Sequence, residues 1–255
     1  KNLKNYFADQ SAIGLEYFPT VDTRITLESF IKEYADMITY EILDGSDGRD
    51  SLNDQNVING GKGRSEGLEL FIQKKYSMKW YGSLAWSHSI AEGVDPRTDE
   101  YYSWTYDYGD VINIIGGYKI RYADYDWYQK FKQTIWAKTL SWLPFMPSDE
   151  FEISFKFRYM GGRPYTKKNY DHNIREWYVD SSQPWNTERY KPYIRLDLML
   201  QQRFYFERVN MITFWDFLNI FNIDNPWEYI YKKDGTKEMA WQYKTMPIGG
   251  VIIEF

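Results

Sequence analysis

The sequence contains no cysteine and only two histidines in 255 residues. The first absence excludes a disulfide framework, a thiolate metal site and a cysteine nucleophile together. The second leaves His88 and His172 on different segments, which gives a two-histidine metal site little basis. No apolar run approaches the roughly 18 residues of a spanning helix. With a mean hydropathy of −0.64, a helical membrane protein is excluded. Neither charge dominates: 31 Lys and Arg stand against 36 Asp and Glu, a net of −5, so a general basic footprint for nucleic acid is missing. There is no G-x-S-x-G elbow, P-loop or H-E-x-x-H helix. Catalysis is left without a nucleophile or base, and neither an enzyme nor a cofactor or metal is expected. The opening residues KNLKNYFADQ have no apolar core of an export signal, so any such signal was removed or lay upstream.

What the chain has in abundance is aromatic side chains: 11 Trp, 24 Tyr and 15 Phe, 20% of all residues. Barrel strands alternate between two faces and cross a bilayer in about 9–11 residues, so a chain hydrophilic on average can still span a membrane as strands. The clearest alternation is FEISFKFRYM, Phe151 to Met160. Phe151, Ile153, Phe155, Phe157 and Tyr159 share one parity, and the charges of Glu152, Lys156 and Arg158 share the other. The same rhythm runs through Arg24–Tyr34, Glu66–Lys74 and Tyr193–Leu200. It is weaker in Ser11–Pro19, Trp80–Ala91, Val111–Tyr122, Asn210–Asn222 and Ile248–Phe255, for about nine strands.

Connection lengths alternate as well. Pro19–Thr23, Tyr76–Lys79 and Tyr205–Arg208 are tight, whereas Asp44–Lys62, Glu92–Asp110, Arg163–Lys191 and Ile223–Met246 are long. Short turns at one end and long loops at the other are the pattern of an up-and-down outer-membrane barrel. One connection, Arg121–Glu150, is long where a short turn is expected. Its Trp127, Phe131, Ile135, Trp136, Leu140 and Leu143 recur at spacings of three and four, with Lys130, Lys132 and Lys138 between them. A short helix in the membrane interface fits, and so does an ordinary amphipathic helix capping a core. Within Ile223–Met246, Tyr229–Tyr231 and Trp241–Tyr243 flank an Asp234-Gly235 turn, which suggests an extracellular hairpin.

The chain stops at Val251-Ile252-Ile253-Glu254-Phe255. A final strand ending on an aromatic residue resembles the carboxy-terminal assembly signal of bacterial outer-membrane barrels, with Phe255 as its last residue. GKGRSEGLELFIQKKY (Gly61–Tyr76), GGRPYT (Gly161–Thr166), YIRLDLMLQQRF (Tyr193–Phe204), FWDFLNIFNIDNP (Phe214–Pro226) and PIGGVIIEF follow one another in an order that resembles the last part of a TonB-dependent outer-membrane transporter, of the kind common in Bacteroidetes. The resemblance implies an all-β, antiparallel transmembrane β-barrel of 22 strands with a plug inside. Such a barrel imports a scarce nutrient, a metal chelate, vitamin, peptide or oligosaccharide, with energy delivered through TonB. On that reading residues 1–255 are about nine carboxy-terminal strands with one short interfacial helix, and the plug lies outside this chain. The implied partners are the plug and remaining strands of the same parent chain, TonB through the plug, a surface lipoprotein and the lipid bilayer, in the bacterial outer membrane. Two other classes fit the composition: a complete small barrel serving as an adhesin or structural surface protein, and a soluble carbohydrate-binding sandwich.

In a barrel the charge-bearing parity faces the lumen or plug, which assigns Glu28, Lys32, Glu69, Gln73, Glu152, Lys156, Arg158, Arg195 and Asp197 to that wall. Phe151, Phe155, Phe157, Tyr159, Trp80, Trp86 and Trp215 then belong to a lipid face with interfacial girdles. Two loops concentrate rings and charges, Tyr101–Asp110 and Arg175–Tyr190. Flat rings with adjacent polar groups suit sugars, chelates or peptides, and Trp104, Tyr106, Trp177 and Trp185 are the candidate ligand contacts. The acidic run Asp44–Asn56 lacks the spacing of an EF-hand loop and reads as a solvated polar loop.

Overall fold

The computed structural model describes residues 3–40, 57–96, 98–140, 143, 146–180 and 182–255. In chain order the strands are β1 (Phe7–Thr20), β2 (Thr23–Tyr40), β3 (Val57–Ser77), β4 (Trp80–Val94), β5 (Tyr101–Ser103), β6 (Asp110–Ile120) and β7 (Glu150–Met160). Then come β8 (Pro164–Tyr165), β9 (Lys168–Asp171), β10 (Glu176–Val179), β11 (Glu188–Arg189), β12 (Tyr193–Tyr205), β13 (Asn210–Leu218), β14 (Pro226–Tyr231), β15 (Lys237–Trp241) and β16 (Met246–Glu254). Two short helices, α1 (Asp126–Lys132) and α2 (Ile135–Leu140), follow a single 3-10 turn at Tyr122–Asp124.

Nine of these strands form one antiparallel sheet in the order β1-β2-β3-β4-β6-β7-β12-β13-β16, with β5 added to β4. Each of the nine alternating segments lies in one of them. Three ends fall short of the alternation: β6 stops at Ile120, before the 3-10 turn, β13 stops at Leu218, and β16 stops at Glu254, one residue before Phe255. The second has a clear cause. Asn219 takes φ 51, a conformation that short amide side chains tolerate better than most. Its own N–H donates to Asp197 Oδ1 at 2.8 Å, and its side chain bonds Ile223 at both N and O. Asn225 completes the stop by pairing its amide with Ile194 N and O, as a neighbouring strand would.

Register places side chains on two faces. Glu28 opposes Glu69, and Glu69 opposes Ser87. Lys156 opposes Asp197, Arg158 opposes Arg195, and Glu152 opposes Gln201. All nine charge-bearing candidates fall on one face. Leu27, Leu70, Trp86, Ile112 and Tyr159 form a continuous row on the other. The strands β1 and β16 end the path, and no further strand pairs with either among the described residues.

The connections β1–β2 and β3–β4 are two-residue turns, and Phe206 N closes the β12–β13 turn on Val209 O at 3.0 Å. In the β3–β4 turn both Met78 (φ 48) and Lys79 (φ 75) are left-handed, the pair of conformations that Asn-Gly usually supplies. The run Asp44–Asn56 lies outside the described residues.

At the same end, residues 121–149 hold two short helices where one was expected. They pack over the apolar face. Gln202, whose register partner is Phe151, donates to the Leu143 and Met146 carbonyls and accepts from Thr213 Oγ1. The Asp149 carboxylate accepts from Lys132 Nζ at 2.7 Å, from Tyr205 N at 2.8 Å and from the Tyr128 hydroxyl. Burial and that carboxylate push the Tyr128 phenol well above its usual range. The side that packs down carries Tyr128 and Ala137, while Trp127, Ile135 and Trp136 are 48%, 71% and 64% exposed. A helix that merely capped a core would bury those three rings and branches instead.

At the opposite end three long connections interlock. A Cβ on Gly161 would overlap the Tyr108 carbonyl, and one on Gly162 the Tyr190 carbonyl, so GGRPYT begins with two positions where backbones pass in contact. Arg189 bridges the loops: Nη1 donates to Asp107 O (2.6 Å) and Gly162 O (3.0 Å), and Nη2 to the buried Asp107 carboxylate (2.5 Å). The hairpins β9/β10 and β14/β15 meet where Tyr170 OH donates to Lys233 O and Trp177 Nε1 donates to Lys232 O.

Two outcomes are expected. Arg189→Ala, which leaves the Asp107 carboxylate unpaired, and Gly161→Ala, whose Cβ overlaps the Tyr108 carbonyl, should each loosen the loop interlock by about 1–3 kcal/mol. The change is measured as faster protease nicking of the loops on intact cells, with the strands unaffected. Asp149→Ala should free residues 121–149 by a similar amount, read as new proteolytic cleavage there while the protein keeps its heat-modifiable gel migration.

Candidate functional site

The charged face and the interlocked loops meet at Trp104. The ring packs where Gly63 of β3 and Gly93 of β4 lack side chains, a seat that a Cβ at either position would overlap, and edge-on to Tyr34 at 5.3 Å. Gly63 and Gly93 oppose one another on the charge-bearing face. The loop thus turns inward over the end of that face. Trp185 lies nearby, edge-on to Tyr102 at 5.1 Å, and Asn186 Nδ2 donates to Ser103 O at 2.7 Å. Tyr106, beside Asp107, is 74% exposed. The fourth candidate is separate. Trp177 sits between the two hairpins, 4.7 Å from Tyr231 and 5.2 Å from Tyr170.

A second aromatic group was not singled out from the sequence. Tyr165, Tyr190 and Tyr229 come together with centroids 4.4–5.5 Å apart. The Arg163 guanidinium lies 5.3 Å over Tyr190 and its Nη2 donates to Trp227 O. Burial, with Tyr229 beside it, pushes the Tyr165 phenol up to about 12. The signal for this group was in GGRPYT, which supplies Arg163 and Tyr165; the distant Tyr190 and Tyr229 carry no local signal.

Along the charged face the candidates fall into two kinds. Some are satisfied within the sheet: Tyr81 OH donates to Glu152 at 2.6 Å, Arg158 Nε to Asn113 at 3.0 Å, and Arg195 Nε to Asp197 at 2.6 Å. Lys32 lies 5.2 Å over the Phe30 ring. Glu28 and Glu69, by contrast, stand directly opposite each other, and among the described residues neither has an ion-pair partner. Like charges in facing positions cost free energy unless a cation lies against them. Gln73 and Lys156 share one row of the same face, linked across the sheet through Ser83 and Ile115.

No curated protein matches the sequence. Among solved structures, the chain is similar to the ferric yersiniabactin uptake receptor FyuA from Yersinia pestis, with a TM-score of 0.60 at 15% identity over 98% of this chain and 30% of that one. It is similar to the ferripyoverdine receptor of the outer membrane of Pseudomonas aeruginosa, with a TM-score of 0.59 at 13% identity over 99% of this chain and 27% of that one. The ferric-catecholate import receptor Fiu from E. coli K12 gives 0.55 at 13% identity, over 99% and 28%. These identities establish the fold, a partial barrel, and the chain spans less than a third of the length of these three receptors. They are receptors and transporters, not enzymes. The family described as TonB dependent receptor-like, beta-barrel matches residues 1–225, and the chain belongs to this family, whose members sit in the bacterial outer membrane.

Proposed function

We propose that residues 1–255 form the carboxy-terminal part of the barrel of an outer-membrane active transporter that captures a scarce nutrient at its loop end and imports it with energy from TonB. The observation that carries this reading is the sheet with, among the described residues, two open edges and two opposed faces, one charged and one apolar, roofed at one end by interlocked aromatic loops. Strands in hydrocarbon need every backbone group paired, so β1 and β16 call for the remaining strands of a larger barrel. The charged face, from Glu28 to Asp197, then lines the lumen and holds a plug domain. Glu28 and Glu69 call for a basic group on that plug. TonB acts through the plug, and a surface lipoprotein covering the loops is a further partner. Phe255, one residue past β16, is assigned to the barrel-assembly signal.

Trp104, Tyr106, Trp177 and Trp185 are assigned to ligand capture. Trp104 stands at the mouth of the lumen, and Tyr106 presents an open ring. The ligand class is a metal chelate, vitamin, peptide or oligosaccharide; two of the similar proteins are a ferric yersiniabactin uptake receptor and a receptor bound to ferripyoverdine. The order of the sequence motifs supports a Bacteroidetes-type transporter. Trp127, Ile135 and Trp136 face outward from the turn end, which suits burial of residues 121–149 in the membrane interface.

Protein purified from native outer membrane should be detergent-dependent and heat-modifiable. Its mass should be about three to four times that of these residues, as a coverage of 26–33% implies. A species near 30.7 kDa would overturn the transporter reading in favour of a small self-closed barrel. Uptake of the nutrient should require TonB. Trp104→Ala should weaken capture by about tenfold, the effect of removing a central aromatic contact worth 1–2 kcal/mol. A Glu28→Gln, Glu69→Gln pair should stabilise a plug-deleted barrel by about 0.2–1 kcal/mol while loosening the plug in the intact protein. Denaturant melting of both forms reads the difference.

A further inference from the structure

The apolar face is not uniformly covered. Near the turn end it contains a groove of about 830 Å³, within the range of about 300–1,000 Å³ typical of small-molecule sites. Its floor is Gly82, whose register neighbour Gly116 also lacks a side chain and lies under the Phe155 ring, 2.6 Å from a Cβ built there. Leu84 and Ile114, partners across β4 and β6, wall it toward the middle of the sheet. Trp80 and Tyr118, also partners, wall it toward the turns. Beyond Trp80 comes Lys79.

The rim is basic in a specific way. Lys74 lines the groove, but its ammonium is neutralised by Asp22 at 2.8 Å and lies 4.6 Å over the Trp80 ring. The Asp22 carboxyl is held well below its usual range, first by Lys74 and then by Ser77 and Thr20. That pair belongs to the wall. Lys79 differs, because its ammonium donates to the neutral Tyr125 hydroxyl at 3.2 Å and, among the described residues, forms no ion pair, so no carboxylate neutralises it there. Tyr125 stands at the start of α1, so that helix helps hold Lys79 one residue beyond the rim. The β3–β4 turn also adopts two left-handed residues without Gly or Asn, at a cost of about 1–2 kcal/mol each. Met78 and Lys79 therefore occupy positions that local backbone preference alone would assign to Asn-Gly.

We propose that this groove is a binding site for one anionic phospholipid of the leaflet at the turn end. The proposal rests on the barrel reading above, which turns the apolar face to lipid. One acyl chain lies along Gly82 between the Leu84/Ile114 and Trp80/Tyr118 pairs. The glycerol region sits at the Trp80 and Tyr118 rings, the level at which such rings favour the membrane interface. The phosphate meets the Lys79 ammonium, an attraction stronger at a membrane surface than in bulk water. A bare apolar groove would accept any acyl chain. The uncompensated cation one residue beyond the rim selects a headgroup of net negative charge over a zwitterionic one.

The test is native mass spectrometry of the full-length protein, delipidated in mild detergent and titrated with phosphatidylglycerol or phosphatidylethanolamine. One phosphatidylglycerol should bind with at least tenfold preference. Gly82→Leu, which fills the floor, should abolish that adduct, and Lys79→Gln should keep binding but erase the preference. Should Gly82→Leu fail to fold, Leu84→Phe fills the same groove from its wall. Undiminished binding in a folded groove-filled variant, or no adduct in the unaltered protein, overturns the proposal, and so does a preference that survives Lys79→Gln. Heat-modifiable migration of the same samples keeps the two readings apart: its loss sinks the barrel, whereas its retention without an adduct sinks the lipid site alone.

Discussion

A strand that crosses hydrocarbon must place every backbone N–H and C=O on a neighbouring strand, because no water is there to accept them. The rest of this structure follows from that constraint. It makes the nine long strands one continuous ladder, from β1 to β16. It confines irregular backbone to the two ends, where water or other protein groups serve as partners. Where irregularity begins, a side chain takes over the pairing: Asp197 receives Asn219 N at the end of β13, and Asn225 pairs with both polar groups of Ile194. The ladder is ended by side chains built for the purpose.

Much of this was legible in the residues. Period two in FEISFKFRYM needs no knowledge of neighbours, because pleating alone alternates its side chains, and the register confirms that its charges and rings face opposite ways. The long-loop hairpin around Asp234-Gly235 was legible too, since Gly235 takes the left-handed φ of 84 that its turn needs. The two helices of residues 121–149 were harder. Their spacing of apolar residues is the same whether they face a core or a membrane, and Tyr128, the residue that packs down, lies one position from Trp127, which does not. Tyr190 and Tyr229 were illegible as a group because their meeting depends on two loops crossing, and nothing within either loop encodes the other.

The charged face shows the same limit differently. Alternation identified which residues share it, but not which of them satisfy one another. Glu152 and Arg158 find Tyr81 and Asn113 two strands or one strand away, through register that only the sheet supplies. Glu28 and Glu69 find each other. A face that repels itself locally is poorly designed as a free surface and well suited to a wall that a cationic partner completes.

The loop end separates two tasks that could easily conflict. Apart from the Asp107 carboxylate under Arg189, its interlock uses backbone acceptors and glycine: Arg189 on the Asp107 and Gly162 carbonyls, Arg163 on Trp227 O, Trp177 on Lys232 O, and Gly161 and Gly162 beneath passing carbonyls. Backbone acceptors are present whatever side chain the position carries. The rings and charges at the tips can therefore vary while the frame that holds them stays in place. Trp104 is the exception, because its seat on Gly63 and Gly93 makes it part of the frame and of the mouth at once. A change there disturbs the frame itself, whereas a change at the open ring of Tyr106 leaves the frame in place.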